Sequence, residues 1–365
     1  MDDGIDELRA TVRAFLATRS AEPDVRRAMD SERGYDPAVW TQLAQQLGLP
    51  SLAIPEEYGG SGFGLREVCV ALEEAGRALL CAPLLSGAAL APRAILASGD
   101  RPLAKQYLPG IATGDTVAAL ALTGPGGAWR EADIAVNAEP DRTGWRLSGR
   151  AAHVLDGAVA DVLLVAARTG ATTALFLVEP GAPGVRRQAV TTLDLTRRQA
   201  VIDFDAVPGR LVGTGEHGWG LLRQVLDLAV IAVANEQVGG AQRILEEAVA
   251  HARTRQQFGR PIGSFQAVKH SCAEMLLLVE SGRSAAYAAR DLLDDPDAEL
   301  SRPATIAKVA ASRAYTEVAT RAIQVFGGMG FTWEHPAHLH LKRAKSSELL
   351  FGTPDEHLDR LAVFD

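Results

Sequence analysis

Arg255-Gln256-Gln257-Phe258-Gly259-Arg260-Pro261-Ile262, followed by Phe265-Gln266-Ala267-Val268-Lys269-His270, separates two long helical stretches. Before it, Trp219 to Arg255 reads as one unbroken helix, apolar on several faces as a helix buried on most sides must be. After it, Gln266 to Leu293 carries Val268, Cys272, Met275, Leu276 and Val279 at helical spacing. Ile306, Ala310, Ala314, Val318, Ala322 and Val325 repeat the pattern in a further helix whose small residues let neighbours approach closely. Helices of this length, packed antiparallel, predict a four-helix bundle over residues 217–365.

Towards the N-terminus the texture changes. Between residues 115 and 216 the chain is rich in Val, Thr and Gly, with short runs that read as strands at Val117–Thr123, Trp145–Ser148, Val162–Ala167, Ala174–Val178 and Ala200–Phe204. Pro140-Asp141 and Thr169-Gly170 read as turns between them. Residues 1–114 read as helices with short breaks. Asp36 before Pro37 predicts a capped helix through Gln46, a Gly- and Pro-dense loop runs from Gly48 to Gly62, and Leu65 to Leu80 is helical again. The expected fold class is α+β: an N-terminal α-helical domain, a middle β-barrel or sandwich, and a C-terminal four-helix bundle.

Composition narrows the function classes. The 365 residues are 47% hydrophobic and 22% charged, with a net charge of -8 and no Lys/Arg block, which argues against nucleic acid or an anionic membrane as partner. Leu221 to Val238, the longest apolar candidate, is interrupted by Arg223, Gln224, Asp227, Asn235 and Glu236, so no membrane span is expected. Met1-Asp2-Asp3 does not open a secretory signal, and Cys69, Cys81 and Cys272 are scattered, as suits buried thiols in a reducing compartment. A cytoplasmic protein is expected.

Two motifs invite sharper readings. Gly213-Thr214-Gly215-Glu216-His217-Gly218 matches the dinucleotide-binding glycine pattern after a strand. That fold needs a returning parallel strand, and here one helix follows for some 35 residues, so a flexible loop before a helix is the better reading. His335, His338 and His340 lie close together, but Pro336 breaks their register, and they read as a solvated segment near a helix start rather than a metal site. No metal is expected. Gly60-Ser61-Gly62 lacks the frame of a serine nucleophile.

The opening stretch resembles the acyl-CoA dehydrogenase superfamily's signature at the end of its first bundle helix. Gln324-Val325-Phe326-Gly327-Gly328-Met329-Gly330-Phe331 resembles its second. Ala53-Ile54-Pro55-Glu56-Glu57-Tyr58-Gly59-Gly60-Ser61-Gly62 resembles its N-terminal loop motif, and Gly352-Thr353 follows near the end. The resemblance implies FAD, lying between the β unit and the bundle with its tail across a subunit interface. It implies an Arg255 contact to the pyrophosphate of a neighbour's FAD, for which a fixed guanidinium is suited. Phe258, Gln266, Gln324, Val325, Gly327, Gly328, Thr123 and Thr353 are further cofactor contacts it implies. The implied reaction removes a proton from Cα of an acyl-CoA thioester while hydride leaves Cβ for the flavin, and the proton needs a carboxylate against Cα.

The chain departs from that pattern where the base should be. The residue before Gly352-Thr353, a Glu in the family, is Phe351. The alternative base position on the long helix falls at Ala229, followed by Val230 where Arg is common. Thr123 survives in Thr123-Gly124-Pro125-Gly126-Gly127-Ala128-Trp129, the Ser expected there does not, and the family's Trp-x-Thr beside the flavin corresponds to His153-Val154-Leu155. The backbone N–H of Phe351 remains as an oxyanion donor. Glu236, about 10 Å along the helix from Ala229, Glu348 and Asp227 are weak substitutes for the base. The pattern resembles the base-lacking subunit of actinobacterial α2β2 acyl-CoA dehydrogenases, which act on bulky thioesters including steroid side chains. The alternatives are a homo-oligomeric dehydrogenase of acyl-CoA or acyl-carrier protein with a non-standard base, and a non-dehydrogenating flavoprotein or scaffold relative.

Overall fold

A computed structural model describes residues 3–362 except Ala128, Thr143, Ala171, Pro180, Glu216, His217 and Pro296. Six helices come first: α1 (Asp3–Arg19), α2 (Glu22–Asp30), α3 (Pro37–Gln45), α4 (Leu65–Arg77), α5 (Ala91–Ala97) and α6 (Arg101–Ala112). The Asp36 carboxylate accepts from the Ala38 N–H at 2.8 Å, so α3 starts on the cap and N1 proline that its sequence predicts.

Seven strands follow: β1 (Ala118–Ala121), β2 (Val136–Asp141), β3 (Gly144–Leu155), β4 (Val162–Thr169), β5 (Thr172–Val178), β6 (Val185–Ala189) and β7 (Gln199–Leu211). Their pairing closes on itself. The order β4-β2-β3-β7-β5 returns to β4 because β5 also pairs with β4, which makes a barrel. Its interior is apolar, built on Leu147, Leu163, Val165, Phe176, Ile202 and Val207. Two strands escape the sequence reading. β2 ends on polar residues, and Pro140 and Asp141, expected to form a turn, instead pair with Trp145 and Gly144 at the end of a hairpin. β6 is Val-Arg-Arg-Gln-Ala with largely exposed side chains, so no apolar alternation marks it.

The C-terminal segment contains α7 (Gly218–Thr254), a small hairpin of β8 (Gln256–Gln257) and β9 (Arg260–Pro261), then α8 (Gln266–Asp291), α9 (Ser301–Phe326), α10 (Ala337–Leu349) and α11 (Pro354–Leu361). The cluster of Ile244, Leu245, Met275, Val279, Tyr315, Val318, Ala322 and Ala344 is the core of the four-helix bundle α7–α10.

Contacts divide the chain into two compact units. One comprises Met1–Arg27, Cys69–Leu80 and Val230–Asp365, the other Ala28–Val68 and Cys81–Ala229. In the first, α4 and α7 cross at very short range: a Cβ on Gly239 would lie 1.8 Å from the Glu73 carbonyl oxygen, and one on Gly76 would lie 2.0 Å from that of Glu236. Only glycine permits that approach. Glu73 and Glu74, both buried, are held there by Arg9 and Arg13. Among the described residues no helix is long and apolar enough to cross a membrane.

Candidate active-site and cofactor surfaces

The opening stretch of the sequence reading sits at one end of the bundle. α7 stops at Thr254, and the chain reverses through a tight turn at Phe258 and Gly259, both with positive φ (54° and 76°). The Ile262 N–H donates to the Arg255 carbonyl at 2.8 Å and closes the hairpin. α8 then begins at Gln266 with no side-chain cap, leaving its first N–H groups directed outward. The adjacent Ser264 hydroxyl is enclosed and without a protein partner. Because α7 and α9 both run antiparallel to α8, the end of α9 arrives at the same place, and the rings of His251 and Phe326 meet at 5.2 Å. Gln324 and Val325 close α9, and Gly327 follows at φ 66°. A Cβ at Gly327 or Gly328 would meet nothing within 4 Å.

The structure thus brings Arg255, Phe258, Gln266, Gln324, Val325, Gly327 and Gly328 to one end of the bundle. Arg255, Gln266 and Gln324 are exposed, and Phe258 is 91% exposed, its ring meeting that of Phe265 edge-on at 6.1 Å.

Phe351 and Thr353 lie at the other end of α9. Lys308, fully buried, donates to the Leu350 carbonyl at 2.7 Å and to that of Ser347. His357 Nε2 donates to the Phe351 carbonyl at 3.0 Å. Phe351 is held at φ 61° with its side chain buried. The Thr353 hydroxyl is engaged in the capping box of α11, accepting from Glu356 N–H at 3.2 Å. His357 packs on Thr305, and Gln324 is 19 residues further along α9, about 28 Å at 1.5 Å per residue.

The carboxylates weighed as replacement bases are engaged. Glu236 is buried and ion-paired with Arg343, which also donates to the Leu80 carbonyl at 3.3 Å. Glu348 accepts from Thr316 at 3.0 Å and Lys345 at 2.9 Å on the outer side of α10. Asp227 and Ala229 are buried. Lys308, Arg343 and His357 escape the sequence reading. The available signal was a lone Lys in the small-residue face of α9.

The histidine segment is not solvated throughout. His340 is not solvated: it is buried, with Nδ1 2.9 Å from the Tyr315 hydroxyl. Its place on the buried face of α10, three residues after Ala337 and four before Ala344, outweighs its proximity to the helix start. Burial, reinforced by Arg243, Arg343 and Arg77, pushes its pKa down to about 3. Burial likewise pushes His357 down to about 4, partly opposed by its bond to Phe351. Below pH 6.5 the unfolded chain takes up two protons that the folded chain refuses. Stability carried by these two groups is therefore complete above about pH 7 and falls as pH drops from 6.5 towards 4, each contributing about 1.4 kcal/mol per pH unit. Denaturant midpoints measured at pH 7 and pH 5 should differ accordingly, and the difference should shrink in His340→Phe.

Comparison with known proteins shows the family of the chain. The acyl-CoA dehydrogenase N-terminal domain model matches residues 2–115 and the acyl-CoA dehydrogenase C-terminal domain model matches residues 216–363. The chain belongs to the acyl-CoA dehydrogenase family. It is 34% identical over 362 residues to acyl-CoA dehydrogenase IpdE2 of Mycolicibacterium smegmatis, covering 99% of this chain and 98% of the relative. A chain of the Tcur3481-Tcur3483 steroid ACAD superposes with a TM-score of 0.89 at 31% identity, covering 99% of this chain and 97% of the other. A chain of the ChsE4-ChsE5 complex from Mycobacterium tuberculosis gives 0.90 at 30% identity, with the same coverage of 99% and 97%.

Acyl-CoA dehydrogenases are FAD-binding oxidoreductases that dehydrogenate acyl-CoA thioesters, and this chain is an enzyme of that type. The bundle end fits the diphosphate side of that cofactor: an exposed guanidinium, an uncapped helix N-terminus, an enclosed hydroxyl without a partner, and two glycines with open space above them. When bound, FAD supplies the acceptor for the hydride.

The β unit is less open. The Thr123 hydroxyl donates to the Ala152 carbonyl, and Ala152 N–H donates back to Thr123 at 2.8 Å. This pairing draws a bulge out of β3, whose register against β7 shifts between Ala151 and Val154. His153 sits in the bulge at φ 53°, with Nδ1 3.2 Å from the Gln199 amide oxygen and Nε2 3.2 Å from where a Cβ on Gly127 would stand. Ala128, in the loop compared with the family's substrate-side motif, lies outside the described residues. So do Glu216 and His217 of the glycine-rich stretch. Gly213 and Gly215 there have positive φ, Gly218 packs against Thr173, and α7 runs from Gly218 for 37 residues where a dinucleotide fold needs a returning strand.

Proposed function

We propose that this chain is one of two different subunits of an acyl-CoA dehydrogenase. Its bundle end supplies contacts to the diphosphate and adenosine parts of an FAD seated in the partner subunit, and the partner supplies the carboxylate base. In this reading Arg255, Phe258, Gln266, Gln324, Val325 and the Gly327-Gly328 pair act across the interface. The observation that carries it is the contrast between the two ends of the bundle. Cofactor-type groups are exposed at one, while at the other a buried phenylalanine stands at the base position with its carbonyl pinned by His357. The separation of about 28 Å between the ends suits contacts to a neighbour's cofactor better than one cofactor gathered within the chain.

Similarity to chains of the ChsE4-ChsE5 complex and the Tcur3481-Tcur3483 steroid ACAD supports the paired arrangement, and the second supports a bulky, steroid-derived acyl-CoA as substrate class. The three segments 1–114, 115–216 and 217–365 serve in this reading as the N-terminal helical, β and bundle domains. Thr123 and Thr353, whose hydroxyls are engaged by Ala152 and Glu356, take no part in that cross-interface contact.

The test is FAD retention by the assembly formed with a base-carrying partner. Arg255→Ala removes a charge-assisted contact and should weaken FAD binding roughly ten- to a hundredfold. Arg255→Lys should recover only part of it, because an ammonium lacks the planar fork. Flavin-to-protein ratios after dialysis read both. Wild-type retention in Arg255→Ala would sink the cross-interface role.

A further inference from the structure

A cavity of about 400 Å³ opens in the unit that carries the bundle, where α1, α2, α4, α7 and α10 converge. Leu16, Val25, Leu79 and Leu339, all buried, give it apolar walls. Its size is that of a small-ligand site. None of its lining residues belongs to the cofactor-type groups at the bundle end, so the site stands apart from the two-subunit reading.

The charges on its lining cancel in pairs. Arg13 meets Glu74 at 2.7 Å, Arg243 meets Glu247 at 2.6 Å, Arg77 is bound to Glu246, and Glu22 is bound to Arg26. Neither an anion nor a cation finds a counter-ion here without breaking one of these pairs, and a charge left among the apolar side chains is costly. One neutral polar group is available. His340 is buried, and its Nδ1 lies 2.9 Å from the Tyr315 hydroxyl. Its Nε2 has no protein partner among the described residues, yet it is not enclosed by them, so it opens onto the cavity that His340 lines. If Tyr315 donates to Nδ1, Nε2 carries the proton and is a donor; if Tyr315 accepts, Nε2 is an acceptor. A hydroxyl satisfies Nε2 in either tautomer because it both donates and accepts, whereas an ether oxygen satisfies only the first.

We propose that this cavity binds an uncharged medium-chain aliphatic alcohol, its hydroxyl on His340 Nε2 and its tail against Leu16, Val25, Leu79 and Leu339.

Calorimetry on the full chain at neutral pH tests it, with octanol as the probe and hexanol, octanoate and octylamine beside it. Octanol should bind, and hexanol should bind roughly tenfold more weakly because two methylenes leave the apolar wall. Octanoate and octylamine, charged at this pH, should each be at least about tenfold weaker than octanol. Ala17 is exposed and lines the cavity, so Ala17→Trp should fold and fill it, abolishing octanol binding. His340→Phe keeps the bulk of a ring and removes Nε2. It should weaken octanol roughly three- to tenfold, the range of one hydrogen bond, and leave the ratio of octanol to hexanol affinity unchanged, since that ratio reads the walls alone. Absence of octanol heat, octanoate or octylamine binding as tightly as octanol, or octanol binding unchanged by either substitution would each overturn the proposal.

Discussion

Purified without a partner, this chain is expected to turn over acyl-CoA roughly 10² to 10⁴ times more slowly than in an assembly with a base-carrying subunit, the range that positioned general-base catalysis contributes. The physical reason is local. The thioester α-proton is weakly acidic, and neither Phe351 nor Ala229 can accept it. Glu236 is committed to Arg343 inside the bundle, and Glu348 to Thr316 and Lys345 on its outside. An oxyanion donor at Phe351 would stabilise charge but would not remove the proton. The measurement is single-turnover bleaching of the flavin by acyl-CoA, for the chain alone and for the co-expressed pair. Equal rates would show that this chain carries its own base and would end the two-subunit reading. Slow bleaching in both would indict the choice of substrate, so a panel of bulky and straight-chain thioesters belongs in the assay.

What the sequence reveals of this molecule follows the range of the forces involved. The long helices are legible because burial repeats every three to four residues: α7 and α8 begin and end within two residues of the expected bounds, and α9 contains the whole periodic pattern from Ile306 to Val325. The cap at Asp36 is legible because it acts over two residues. β6 is not, since an edge strand with exposed arginines has no burial period to display. The bundle-end surface is legible as a resemblance, and the structure supplies the reason its residues belong together: antiparallel packing returns α9 to the hairpin after α7. The interior charges are not legible. Lys308 meets carbonyls 39 and 42 residues away, and Arg343 meets Glu236 across 107. Nothing in the sequence around His340 distinguishes it from its half-exposed neighbour His338, and only the packing of α10 buries one and not the other.

Glu236→Gln should separate the two roles that this carboxylate can be given. If Glu236 holds the fold, the substitution leaves Arg343 charged, buried and without its counter-ion, at a cost of about 3–5 kcal/mol. The melting temperature of the assembly should then fall on the order of 10 °C. If Glu236 is instead the base, Glu236→Gln should keep its melting temperature and lose turnover. The geometry favours the first outcome: the carboxylate is 4% exposed, is bonded to Arg343, and lies beneath the tight crossing of α4 and α7 at Gly76. A second variant makes the distinction independent of misfolding. Glu236→Met with Arg343→Met replaces the pair by apolar chains of similar length, an exchange that is often neutral or stabilising for a buried ion pair. The double variant should therefore regain most of the lost stability. Paired with a base-carrying subunit, it should also bleach flavin at close to the wild-type rate. A stable double variant that forms the assembly, holds FAD and fails to bleach it would return the base to Glu236 and make this chain catalytic in its own right.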